Sequence, residues 1–78
     1  MTTLIDTPKT LGQAVRAARH QLGLTQPQLA LAAGVGIRFV VELEAGKPTV
    51  RLEKVLCVLH ALGGQVAVNG LPTGSEGA

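Results

Sequence analysis

The 78-residue chain has one cysteine, one aromatic residue, no tryptophan or tyrosine, and only 15% charged residues. A lone cysteine, Cys57, excludes an internal disulfide, and one cysteine with two histidines does not match the spacing of a structural zinc site. No metal and no cofactor is expected. Ser75 is the only serine and falls near the C-terminal end. Cys57 and His60 are three apart on one predicted helix, but nothing supplies the third group that would orient the imidazole. No glycine-rich phosphate loop leads into a helix with the required lysine, so catalysis is not expected. Apolar runs fall far short of the ~20 residues that cross a bilayer, and no charged segment leads into an apolar export signal. A cytoplasmic location without membrane contact is expected. A chain of this length allows one domain, which buries only ~60% of the surface its unfolded form exposes and leaves little room for a catalytic cavity.

The chain is nevertheless 46% hydrophobic. That is more aliphatic surface than a small monomer hides, and a subunit interface would absorb the excess. Net charge is only +2, but Lys9, Arg16, Arg19 and Arg38 occur with no acid between Thr7 and Val41. That half of the chain suits a phosphate-bearing partner.

The stretch TQPQLALAAGVGIRFVVELEAGK, Thr25 to Lys47, has the spacing of two short helices joined by a tight glycine turn, as a DNA-binding helix-turn-helix requires. Thr25 and Gln28 have the spacing of a capping box, and Pro27 falls in the first turn, where its missing N–H costs nothing. Leu29 turns inward, small Ala30 lets the next helix cross closely, Gly34 makes the corner and Val35 returns to the core. Advancing the second helix, about Gly36 to Ala45, by ~100° per residue sends Phe39, Val40 and Leu43 inward and Arg38, Val41 and Ala45 outward, with Ile37 and Glu42 on the flanks. An outward arginine suits the O6 and N7 acceptors of guanine in the major groove, Ile37 and Val41 suit thymine methyls, and Glu42 suits the cytosine amino group. Arg38 and Glu42 are also four apart, so that for Glu42 a solvated surface pair fits equally well, while for Arg38 base contact is favoured. Lys47 and Arg51 flank the loop leaving this helix, where they are expected to contact phosphates, and Gln28, at the start of the first helix, is assigned the same role.

From Leu11 to about Val68 the chain resembles the lambda-repressor-like helix-turn-helix proteins of the Xre class. The segment LTQPQLALAAGVGIRFVVELEAGKPTVRLEKVLCVLHALGG is similar, more narrowly, to HipB-like antitoxins. The resemblance implies a homodimer that binds double-stranded operator DNA and holds a HipA-type kinase toxin. It also implies that Gln26 contacts a phosphate, that Arg38 and Glu42 read bases, and that Arg19 and Glu44 form a partly buried ion pair. The chain departs from the pattern at Gly36, where many relatives carry Ser or Thr, and at Ile37 and Val41, where polar readers are frequent.

The first nine residues are expected to be a flexible arm, and residues 10–70 the domain. Thr10 and Gln13 have the spacing of a second capping box. Leu11, Ala14, Val15, Ala18 and Leu22 then form an apolar stripe that ends at Gly23, with Arg16 and His20 facing outward. A fourth helix, about Arg51 to Leu62, buries Leu52, Val55, Leu56, Leu59 and Leu62. Val58 widens the stripe they form and, with Cys57 and Ala61, is assigned to a subunit contact. After Gly63 and Gly64, residues 65–69 alternate at the period of a strand, and Val66 and Val68 are expected to pair with the same segment of a twin subunit. The alternative is a structureless tail with chance alternation. Residues 71–78 are expected to be disordered.

The expected fold is thus all-α, four helices with a short C-terminal dimerising β-strand. The expected function is sequence-specific repression by an antitoxin. The alternatives are a stand-alone Xre-type or phage-type repressor without a toxin, and a protein-interaction module that does not read DNA.

Overall fold

A computed structural model describes residues 2–72 of the chain. It contains four helices in the order α1 (Pro8–Gln21), α2 (Gln26–Ala33), α3 (Ile37–Glu44) and α4 (Leu52–Ala61). α1 packs on α3, while α2 packs on both α3 and α4, so α3 is held from two sides.

Every helix contributes to one small aliphatic core: Val15 from α1, Leu29 and Ala30 from α2, Val40 and Leu43 from α3, Val55 and Val58 from α4. Burying each of the larger side chains contributes ~1.5–3 kcal/mol. Phe39, the sole aromatic residue, packs on the edge of this cluster and carries the Lys54 ammonium 5.8 Å from its ring centroid, a cation–π contact between α3 and α4. Gly12 of α1 lies so close to the end of α3 that an added Cβ would fall 2.5 Å from the Leu43 carbonyl oxygen and 2.8 Å from that of Glu44. Only a residue without a side chain permits this approach.

The helix stops share one mechanism. After α2, the Gly34 N–H donates to the Leu31 carbonyl and the Val35 N–H to that of Ala30, with Gly34 at φ +72°. After α3, Gly46 donates to Leu43 and Lys47 to Glu42, with Gly46 at φ +84°. These are Schellman closures, which satisfy the last carbonyls and reverse the chain. The same pair of bonds follows α1 and α4.

Four expectations are corrected. The start of α1 is capped by Thr7 and not by Thr10: Thr7 Oγ1 accepts from the Thr10 N–H at 3.0 Å, and Thr10 Oγ1 accepts from the Thr7 N–H at 3.1 Å. Pro8 takes the first helical position, where its fixed φ favours the helix. The β-strand expected over residues 65–69 is absent, and no strand occurs among the described residues. Val66 and Val68 lie in irregular, exposed chain, because alternation alone supplies no backbone partner. Leu52, expected in the core, is 69% exposed: it opens α4 and lies outside the cluster that Val55 and Val58 join. Val58, assigned to a subunit contact, is fully buried in the core. The expected disorder of 71–78 lies, from residue 73 on, outside the described residues. No helix among the described residues is long and apolar enough to cross a membrane.

Candidate nucleic-acid interface

The geometry of the α2–α3 unit starts at its caps. Thr25 Oγ1 accepts from the Gln28 N–H at 3.2 Å, and the Gln28 side-chain oxygen accepts from the Thr25 N–H at 2.8 Å. Gln28 is thereby committed to fixing the start of α2, although it remains exposed. Gly36 caps α3 through backbone conformation alone, with no side-chain bond, so the first N–H groups of α3 are not covered by a capping side chain.

α3 has two unlike faces. Val40 and Leu43 are fully buried and Phe39 is half-buried. On the opposite side Ile37 is 52% and Val41 43% exposed, and the Arg38 side chain is 91% exposed. The helix thus presents one cation and two branched aliphatics outward from a rigid seat. Glu42, on the flank, is engaged twice: its Oε2 lies 3.6 Å from Arg38 Nε and its Oε1 lies 3.3 Å from Lys47 Nζ. Arg51, exposed in the loop before α4, pairs with Glu53 at 3.5 Å.

A second arginine–glutamate pair lies inside. Arg19 donates from Nε to Glu44 Oε2 at 2.6 Å and from a terminal nitrogen to Glu44 Oε1 at 3.0 Å, a two-pronged bridge between α1 and the last turn of α3. Its remaining terminal nitrogen donates to the Leu24 carbonyl at 2.8 Å. Gln26, expected at a phosphate, donates one of its two side-chain N–H groups to Glu44 Oε1 at 3.1 Å. Burial acts to raise the Glu44 carboxyl, but hydrogen bonds from Arg19 and Gln26, with the charges of Arg19 and Arg16, outweigh it and hold Glu44 below the usual carboxylate range. The hydrogen bond to Glu44 raises Arg19 above its ordinary value, against the opposing effect of burial. The start of α2, the end of α3 and the body of α1 are thereby tied at one point, which fixes the angle at which α3 is presented.

The residues expected to contact DNA or to support that contact thus divide. Ile37, Arg38, Val41, Lys47 and Arg51 are exposed, Gln26 and Glu42 are partly covered and internally bonded, and Arg19 and Glu44 belong to the interior tie. Among the residues assigned to a subunit contact, Cys57, Val66 and Val68 are exposed and Ala61 is half-buried against the core. Sequence reasoning did not single out Gly12 or Thr7. The Thr7–Pro8 pair carried a local signal, since proline favours the first position after a cap, whereas nothing local marks Gly12. No cluster of three or more potential metal ligands occurs among the described residues.

No family model matches the chain. It is 52% identical over 63 residues to an uncharacterised HTH-type transcriptional regulator, y4mF, of Sinorhizobium fredii, covering 81% of this chain and 83% of the relative. Among solved structures it is similar to the clp gene regulator ClgR from C. glutamicum, with TM-score 0.69 and 35% identity over 85% of each chain. The fold also matches a chain in a HipA–HipB–O2–O3 complex, with TM-score 0.79 and 24% identity, covering 86% of this chain and 94% of the other.

Proposed function

The chain belongs to the HTH-type transcriptional regulators, and we propose that it is a homodimeric repressor that occupies a palindromic operator and acts as the antitoxin of a HipA-like toxin. The observation that carries the DNA-reading part is the outward face of α3, where Arg38, Val41 and Ile37 are exposed together while Val40 and Leu43 anchor the helix. In a major groove the Arg38 guanidinium reaches guanine O6 and N7, and Ile37 and Val41 meet thymine methyls. Lys47, Arg51 and the second N–H donor of Gln26 contact phosphates beside the groove and fix the register. Two copies set their α3 helices about one DNA turn, ~34 Å, apart. The exposed Cys57 edge of α4, with Val66 and Val68, supplies apolar contact for the dimer.

The toxin partnership draws support from the fold shared with a chain of the HipA–HipB–O2–O3 complex. The higher identity to ClgR, described as a clp gene regulator, favours a second reading, a regulator with no toxin. Selection of duplexes from a random library tests DNA reading: enrichment of a two-fold site supports it, and absence of enrichment rejects it. Affinity capture of the protein from its native cell, followed by mass spectrometry, separates the two regulators. A stoichiometric HipA-like companion supports the antitoxin, and a partner-free homodimer supports the lone regulator.

A further inference from the structure

Glu42 is an acid placed among the cations of the proposed DNA face, and it is paired with two of them. Each of its carboxylate oxygens serves a different cation, Arg38 Nε at 3.6 Å and Lys47 Nζ at 3.3 Å. The second contact is built by the backbone: the left-handed Gly46 reverses the chain, and the Lys47 N–H donates to the Glu42 carbonyl at 3.1 Å, which brings the lysine back over the last turn of α3. Glu42 therefore halves the charge of a site that would otherwise present two cations side by side.

We infer that Glu42 is a guard against random DNA: it withholds Arg38 and Lys47 from phosphates and thereby sets how strongly the protein distinguishes its site from other sequences. This inference rests on the DNA-reading function proposed above. On the preferred site Arg38 holds guanine through its terminal nitrogens while its Nε stays beside Glu42, so Lys47 leaves for a phosphate without stranding the carboxylate. On random DNA, where attraction is almost wholly between cations and phosphates, Arg38 has no guanine to hold it there, and a carboxylate that gave up both cations would stand unpaired beside the negatively charged backbone. Glu42 therefore keeps one of the two cations from a phosphate on random DNA, a cost that the preferred site does not carry. Specificity is a difference of affinities, and a repulsive element that weighs more on the wrong partner increases it.

The test uses the full-length protein and two 24-bp duplexes, one carrying the site enriched by the wild type from a random library and one of scrambled sequence. Glu42→Gln keeps the side-chain shape, and Glu42→Ala serves as a second variant; thermal melting checks that both fold. Both variants are expected to bind scrambled duplex roughly fivefold more tightly or better, with a smaller gain on the selected site and a log–log salt slope steeper by about 0.9, the value for one additional phosphate contact. A fall in affinity for the selected site alone would make Glu42 a base reader and overturn the inference. Unchanged affinity for both duplexes would make it an inert surface pair and overturn it equally. Failure of the wild type to enrich any site would instead reject the DNA-reading function itself.

Discussion

Two arginine–glutamate pairs touch α3, and their surroundings differ in nearly every respect. Arg19 and Glu44 meet through two short bonds, with side-chain exposures of 10% and 5%, and Gln26 and the Leu24 carbonyl occupy further positions around them. Arg38 and Glu42 meet once at 3.6 Å, with Arg38 almost wholly in water and Glu42 shared with Lys47. The inner pair has no free geometry left and works as a strut between helices. The outer pair exchanges partners at little cost, because water and salt screen it and other acceptors substitute readily. The same two residue types thus give rigidity at one end of an eight-residue helix and availability along its exposed side.

The largest predicted difference between the pairs is in folding stability. Glu44→Ala leaves Arg19 buried without its counter-charge and is expected to cost ~3–5 kcal/mol in urea denaturation, whereas Glu42→Ala is expected to stay within ~0.5 kcal/mol of wild type. Equal costs would erase the distinction. Acid should reproduce the inner loss. Since the folded Glu44 titrates below its unfolded value of about 4.3, its stabilisation is fully present above that pH and declines as the pH falls through the lowered value. A Glu44→Gln variant should lack this part of the acid dependence, as read from stability at stepped pH. Gly12→Ala should come next, at ~1–3 kcal/mol, because the new methyl meets backbone oxygens that cannot swing aside. In a crystal structure of that variant the Arg19–Glu44 distances should lengthen while the Arg38–Glu42 contact stays unchanged. The smallest effect is expected at Glu53→Gln: its pair with Arg51 is exposed on both sides and should contribute under ~1 kcal/mol in the same denaturation assay.

How much of this was legible in the sequence depended on whether the cause was local. The Thr25–Gln28 capping box, the stops at Gly34 and Gly46 and the two faces of α3 all follow from spacing within a few residues, and each can be read without knowing what lies across the fold. Features set by a partner across the fold were not legible in this way. Gly12 looks like any helical glycine until the end of α3 is laid against it. Residues 65–69 alternate as a strand would, but a strand also needs a ladder partner, which periodicity does not supply. Leu52 and Val58 share the apolar spacing of α4, yet packing across the fold leaves one exposed and buries the other in the core cluster. The candidate DNA face was legible as an outward arginine. That Lys47 folds back to Glu42 was not, since it depends on the Schellman turn at Gly46 bringing a loop residue over the helix.

The most direct test is a comparison of the duplexes enriched by wild type and by Arg38→Ala. Wild type is expected to enrich a two-fold site with a guanine at a fixed position in each half. The variant is expected to lose preference at that position, with ~1–3 kcal/mol less binding per half-site and an unchanged melting temperature. The same guanine preference in the variant would contradict base reading by Arg38.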